Sequence, residues 1–284
     1  MLGRAVVATG RARGAAVLAL PKIQANVERP ETLGYWLQTF RPEVVFNCAA
    51  FTRVDDCEVE PDLAQRVNGQ GVAHLVAACE TVTARLIQVS TDYVFDGQGA
   101  RPYRVDDVTA PQSVYGASKR LGEKAALGYA KAAVVRTSWL FGPGGPNFVR
   151  AIAGQVEKRI ATGDETPLRV VADQTGCPTY TPFLARALWE LGALDATGVF
   201  HYCNREATTW HGLASEIVAS LRPRLRVEPV STAEFSRPAA RPAYSVLDVS
   251  RFEETVGRIV EPWRRGLDEY LEQLSSEIQG RKHS

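Results

Sequence analysis

Short apolar, β-branched runs alternate along this chain with longer segments in which apolar residues recur every three or four positions. The strand-sized runs lie at residues 15–20, 43–48, 85–90 and 132–137. Helical spacing covers residues 30–40, 61–79 and 113–130, each beginning with a proline or a polar capping residue. This alternation predicts right-handed βαβ units and an α/β fold with a parallel, doubly wound sheet.

The pattern changes near residue 140, where Gly142, Gly144 and Gly145 with two prolines mark a loop and later elements follow less regular intervals. We therefore predict a large α/β domain over residues 1–140, completed by segments that return to it later. Residues 141–284 mainly form a smaller C-terminal α/β lobe. A last helix is predicted at 261–278, ending near Gly280 in a charged tail.

Composition and charge argue against a protein that binds nucleic acid or a membrane. The 284 residues carry 33 Lys plus Arg against 32 Asp plus Glu, so no overall field favours nucleic acid or an anionic membrane surface. The apolar runs fall far below the roughly 20 residues of a membrane span, and the N-terminus lacks the regions of a signal peptide. We predict a cytoplasmic protein that binds neither nucleic acid nor membrane.

Cysteines and histidines indicate no metal site. The five cysteines are scattered without a C-x-x-C pair, which in that compartment predicts reduced thiols. His74, His201 and His211 do not stand at metal-ligand spacing from cysteines or carboxylates, so structural or surface roles are the better interpretation.

Candidate chemistry begins with Tyr115 and Lys119, four residues apart in a predicted helix and so on one face of it. An ammonium there can lower the tyrosine pKa and hold a ribose hydroxyl. The spacing alone is also typical of solvated helices. Thr91 strengthens the case, because it ends a predicted strand, where ligands bind in open α/β sheets. A second strand end, at residues 47–52, supplies small side chains where a cofactor approaches the backbone.

These motifs, in this order, resemble the extended short-chain dehydrogenase/reductases and, within them, the dTDP-4-dehydrorhamnose reductases. The similarity covers nearly the whole chain, with family-like stretches at residues 41–50, 54–58, 90–95, 114–119, 136–139, 173–179, 208–211 and 241–245. The resemblance implies an NAD(P)-binding Rossmann fold for the first domain and a substrate-binding role for the second lobe. A homodimer is possible.

The same resemblance implies that NADPH, with NADH possible, gives hydride to the 4-keto carbon of a dTDP-sugar. Tyr115 would protonate the oxygen, Lys119 would orient the nicotinamide ribose and tune Tyr115, and Thr91 would polarise the carbonyl. Asp92 and Trp139 would contact the sugar, although a core role for Trp139 is equally typical. Arg241 would pair with the diphosphate, although a solvated arginine is nearly as typical there.

The resemblance implies three groups of cofactor residues: one near the N-terminus, one after the strand at 43–48 and one beside the adenine. Family members begin with an apolar strand and a glycine-rich turn that holds the pyrophosphate. Here Gly3 resembles the last glycine of that turn, so we expect an N-terminally truncated Rossmann domain without the first strand and most of the turn. Ala49, Ala50 and Phe51 would approach the cofactor, and Asn26 with Val27 would flank the adenine. Lys22, with no carboxylate nearby, favours NADPH.

Two alternatives remain open. A nucleotide-sugar epimerase or dehydratase would share the fold, but Asp92 is followed by Tyr93 instead of the glutamate that dehydration requires. A non-catalytic regulatory subunit on the same fold is favoured by the incomplete pyrophosphate turn. The intact Thr91, Tyr115 and Lys119 favour an enzyme.

Overall fold

A computed structural model describes residues 1–235 and 237–281. Its α-helices are α1 (Leu2–Ala12), α2 (Pro30–Phe40), α3 (Val54–Val59), α4 (Pro61–Gln65), α5 (Gly71–Val82), α6 (Val114–Leu127), α7 (Phe148–Thr162), α8 (Thr181–Ala193), α9 (Trp210–Leu221), α10 (Ser250–Val256) and α11 (Trp263–Arg281). The strands are β1 (Val44–Asn47), β2 (Arg85–Thr91), β3 (Ala132–Thr137), β4 (Leu140–Phe141), β5 (Leu168–Val171), β6 (Thr175–Gly176), β7 (Thr179–Tyr180), β8 (Gly198–His201), β9 (Thr208–Thr209) and β10 (Val227–Val230). A π-helical turn (Arg66–Gln70) links α4 to α5, and 3-10 turns cover Asp92–Val94 and Thr232–Glu234.

The main sheet contains four described strands in the order β1-β2-β3-β8, all parallel. Side chains of β2 and β3 alternate between two apolar layers: Ile87 and Ala133 face α1 and α8, and Leu86 and Val134 face α2, α5 and α6. Helices therefore cover both faces, which confirms the predicted doubly wound α/β fold. The carboxyl ends of all four strands meet along one edge, where such sheets bind ligands.

The prediction of a strand at residues 15–20 is wrong. This segment follows α1 in no regular structure and hydrogen-bonds to no described strand. An apolar run becomes a strand only where a neighbour supplies a ladder of backbone hydrogen bonds, and β1 pairs here with β2. The helices predicted at 30–40, 61–79 and 113–130 are present, the second divided by the π-helical turn.

Beyond β3 the chain builds three two-stranded pairings: β5 with β10, β4 with β7, and β6 with β9. They do not form a separate core, because one apolar cluster runs from β2 and β3 through α8 to Trp263 in α11. The division at residue 140 stays a prediction. Helix α11 continues through Gly280 to Arg281, and the predicted charged tail beyond it lies outside the described residues.

Over residues 1–235 and 237–281, no helix combines the length and the apolar character that crossing a membrane requires. The same residues contain no group of three or more His, Cys, Asp or Glu side chains arranged to hold a metal ion.

Candidate active site

A cleft of about 870 Å³ opens at the carboxyl ends of the sheet strands. One wall is formed by residues that follow β1, β2 and β3 together with α6, and the other by residues of the later pairings and their loops. The predicted site residues that line it are Ala49, Ala50, Thr91, Asp92, Tyr115, Lys119, Trp139 and Arg241. The sheet edge thus brings together the helix and the two strand ends identified from the sequence.

Two side chains fix the start of α6, the helix that carries Tyr115 and Lys119. The Ser113 hydroxyl accepts a hydrogen bond from the Gly116 amide at 3.1 Å, and the Glu58 carboxylate accepts one from the Val114 amide at 2.8 Å. These bonds satisfy two of the amides that a helix N-terminus otherwise leaves unpaired. A Cβ on Gly116 would lie 2.1 Å from the carbonyl oxygen of Tyr93, so the helix start packs directly on the turn after Thr91.

Lys119 is 4% exposed, and its ammonium donates a hydrogen bond of 2.7 Å to the Val89 carbonyl. Burial lowers the pKa of Lys119 to about 8, opposed by the negative charge of Glu123. Burial also raises the pKa of Tyr115 above its ordinary value, opposed by the hydroxyl of Thr91. The net shift differs from the expectation that Lys119 lowers the tyrosine pKa. The phenol keeps its proton at neutral pH, as a proton donor requires.

Thr91 and Asp92 form a polar pair opposite Tyr115. The Thr91 hydroxyl donates to Oδ1 of Asp92 at 2.9 Å and accepts from the Tyr93 amide at 3.2 Å. The other oxygen, Oδ2, is buried and has no hydrogen-bond partner among the described residues, although Ser245 stands beside it. Burial raises the pKa of Asp92 to about 6, opposed by the hydroxyls of Ser245 and Thr91. Asp92 is therefore a buried carboxyl group on the cleft wall, with one oxygen bonded to Thr91 and the other beside Ser245.

Asp92→Asn is expected to stabilise the fold above about pH 6. Because burial raises the folded-state pKa, the ionised carboxylate costs stability above about pH 6, and this cost disappears below about pH 4. Removing the charge should increase the free energy of unfolding by about 2–3 kcal/mol at pH 8 and by much less at pH 4. Urea unfolding of both proteins at the two pH values measures this difference. An equal difference at both values would contradict it.

Trp139 and Arg241 border the cleft on its far side. Trp139 has a positive φ of 48°, and its ring stacks on Trp210 with centroids 3.6 Å apart. A Cβ on Gly176 would lie 2.6 Å from the Trp139 ring, so that glycine gives the indole its space. The Arg241 guanidinium lies 2.9 Å from a carboxylate oxygen of Asp55. Both predicted substrate residues are thus partly engaged by protein and partly open to the cleft.

Four predicted cofactor residues do not line the cleft. Gly3 lies in α1, where an added Cβ would be 3.6 Å from Cys48, and Asn26 bonds to Glu28 and Thr32. Val27 is buried, and its carbonyl lies 2.9 Å from the His74 ring. Phe51 packs against Tyr115, and its amide donates to the Asn68 side chain at 2.8 Å.

Sequence reasoning missed several residues that shape the site. Asn68, in the π-helical turn, also donates to the Phe51 carbonyl and to the Ser118 hydroxyl, each at 3.0 Å, and thereby joins the β1 end to α6. Glu123 lies one helical turn after Lys119, and that spacing is a signal the sequence did contain. Trp210 lies in the family-like stretch 208–211, but its role was not predicted, because its stacking partner lies far away in the chain.

The comparisons with known proteins identify the family of this chain. The family model described as "RmlD substrate binding domain" matches residues 1–276. The chain is 44% identical to a dTDP-4-dehydrorhamnose reductase of Streptomyces griseus, with 95% of this chain and 89% of that protein aligned. The crystal structure of a dTDP-4-dehydrorhamnose reductase from Clostridium acetobutylicum superposes with a TM-score of 0.91 at 36% identity, covering 96% of each chain.

A dTDP-4-dehydrorhamnose reductase from Bacillus anthracis, crystallised with NADP, superposes with a TM-score of 0.90 at 32% identity, covering 96% of this chain and 95% of that one. These likenesses extend over nearly the full length of the proteins compared. They confirm the family resemblance that the motifs indicated. The chain belongs to the family described as RmlD substrate binding domain.

Proposed function

We propose that this protein reduces the 4-keto group of a dTDP-4-dehydro-6-deoxy sugar, converting dTDP-4-dehydrorhamnose to dTDP-rhamnose. The observation that carries the proposal is the convergence of Thr91, Tyr115 and Lys119 in one cleft at the carboxyl edge of the sheet. The relatives named dTDP-4-dehydrorhamnose reductase support this substrate class.

NADPH is the proposed cofactor, in agreement with the NADP present in the Bacillus anthracis structure. When bound, it supplies the hydride. The residues present fit a dinucleotide: Met1 and Leu2 bring the positive end of α1 to the cleft, and the small side chains of Ala49 and Ala50 leave room beside β1. Lys22, on which the sequence-based preference for NADPH rested, does not line the cleft, and a carboxylate, Glu28, lies 3.6 Å from it.

The chain's own residues handle the proton. Tyr115 donates its phenolic proton to the oxygen that develops negative charge, because the pKa of this buried phenol keeps it protonated at neutral pH. Thr91, beside Tyr115, donates a hydrogen bond to the same oxygen by turning its hydroxyl away from Asp92. Lys119 is anchored on Val89 with two further donors available for a ribose hydroxyl.

The far wall of the cleft is proposed to hold the rest of the substrate. Arg241 would bind the diphosphate through the part of its guanidinium that Asp55 does not engage. Trp139, held by the Trp210 stack, and Asp92 would contact the sugar. In this proposal residues 1–140 with the returning strand β8 bind the dinucleotide, and the later residues mainly bind the sugar nucleotide.

Oxidation of NADPH in the presence of dTDP-4-dehydrorhamnose, with dTDP-rhamnose identified by chromatography, tests the proposal directly. We expect turnover that depends on both reactants and a weaker reaction with NADH. A folded protein that binds the sugar nucleotide but never oxidises either cofactor would replace this function with that of a non-catalytic binding subunit.

A further inference from the structure

A buried ionic cluster lies directly behind the proposed catalytic residues. Its centre is Glu123, fully buried in α6, whose carboxylate accepts hydrogen bonds from Nε and Nη2 of Arg136 at 2.8 and 2.9 Å. Ser90 donates to the same carboxylate at 2.6 Å, and Arg120 lies 3.3 Å from it. We call Ser90, Arg120, Glu123 and Arg136 the buried ionic cluster. It joins the ends of β2 and β3 to the catalytic helix.

The buried ionic cluster contacts the site at two points. Ser90 lies between Val89, whose carbonyl anchors the Lys119 ammonium, and Thr91, whose hydroxyl faces Tyr115. Glu123 follows Lys119 by one helical turn, a spacing that places the two side chains on the same helix face. A single carboxylate therefore holds the backbone on which Lys119 rests and also provides a negative charge next to it.

We propose that Glu123 is a positioning residue for the reductase site: it fixes the end of β2 against α6 and places a carboxylate one helical turn from Lys119. The inference rests on the proposed function, and it adds a role for a residue that need not touch substrate or cofactor. A purely structural ion pair would explain the Arg136 contacts. It would not explain why the same carboxylate also binds Ser90 and stands one turn from Lys119.

Among the described residues, Glu123 is the carboxylate that most affects the pKa of Lys119. Its negative charge is the largest influence that opposes the loss of the Lys119 proton on burial. Cys48, after β1, also faces Lys119, but burial raises the pKa of its thiol to about 12, so it is neutral. Tyr115, on the same helix, is a neutral phenol because burial raises its pKa.

The groups that face Glu123 are cationic or neutral. Arg136 reaches it from β3 and Arg120 from its own helix. His201, from β8, contacts Arg136 at 3.4 Å, and burial together with Arg136 lowers the pKa of this histidine to about 3, so it adds no charge. Removing the Glu123 charge should therefore lower the pKa of Lys119 further below its present value of about 8.

Glu123→Gln tests this role, with Arg136→Met as the matched control that breaks the same ion pair but leaves the Glu123 charge. We expect the alkaline limb of the kcat/KM profile to move down by about one pH unit in Glu123→Gln and to stay in place in Arg136→Met. Either variant leaves one charge without its partner and can fail to fold. The double variant Glu123→Gln/Arg136→Met removes both charges, and its alkaline limb should also move down.

A second readout does not depend on turnover. Competitive labelling of the Lys119 amine with acetic anhydride, followed by peptide mass spectrometry, reports its protonation as a function of pH. We expect half-maximal labelling at lower pH in Glu123→Gln and in the double variant than in the wild type. Unchanged labelling in both would overturn the proposed role. An inactive wild type with the expected labelling shift would refute the reductase proposal and leave the influence of Glu123 on Lys119 established.

Discussion

Tyr115→Phe is expected to lower kcat/KM for NADPH-dependent reduction of the 4-keto sugar by about 10²–10⁴-fold, the usual contribution of a positioned proton donor. The substitution removes one oxygen atom. The ring keeps its packing against Phe51 and Tyr93, because these contacts use its carbon atoms. Steady-state kinetics should therefore show a steep loss of turnover, whereas a fluorescence titration should show little change in the affinity for NADPH.

Tyr35→Phe provides the control for that experiment. Tyr35 lies in α2, is 62% exposed and does not line the cleft. Loss of its hydroxyl should leave turnover unchanged. If Tyr115→Phe retained more than about a tenth of wild-type kcat/KM, Tyr115 would not be the main proton donor, and the assignment of general acid would have to move to another group.

Gly122→Ala should lower the free energy of unfolding by about 1–3 kcal/mol and reduce turnover as well. A Cβ at this position would lie 2.2 Å from the carbonyl oxygen of Asn68, a backbone atom in the π-helical turn. The clash cannot be relieved by a rotamer change. It requires α6 to move away from that turn, which carries Tyr115 and Lys119 away from Thr91.

Gly154→Ala is the matched control, because Gly154 also lies inside a helix but an added Cβ there meets no atom within 4 Å. Alanine is the better helix former, so this variant should gain about 0.5–1 kcal/mol. Urea unfolding followed by circular dichroism gives both values. Changes of the same sign and size in the two variants would contradict the close approach of α6 to the π-helical turn.

The fold could be predicted from the sequence where a local pattern determines the element. The strands at β1, β2 and β3 and the helix that carries Tyr115 follow from periodicity and capping, and their order determines which side chains meet at the sheet edge. The segment at 15–20 failed because a strand depends on a partner that periodicity does not reveal. An apolar run is compatible with a strand, but the backbone hydrogen bonds of a strand must come from a neighbouring strand.

In the candidate site, too, the residues with a local sequence signal were predicted, and those whose roles depend on distant contacts were not. Tyr115, Lys119 and Thr91 were found because each stands at a fixed place relative to a helix or a strand end. Asn68 and Trp210 were missed, because their roles depend on contacts with residues distant in the chain. The pKa of Tyr115 was misjudged for a related reason: spacing revealed the nearby ammonium, whereas burial, which raises the pKa, is a property of the folded chain.

The left-handed backbone of Trp139 has a consequence for engineering. A residue with a side chain costs about 1–3 kcal/mol in this region of φ and ψ, and glycine avoids that cost. A redesign that scored backbone conformation alone would therefore favour glycine at this position and discard the indole, which stacks on Trp210 and borders the cleft. Trp139 should be held fixed in any such library, and gains in melting temperature should be sought elsewhere, at positions such as Gly154.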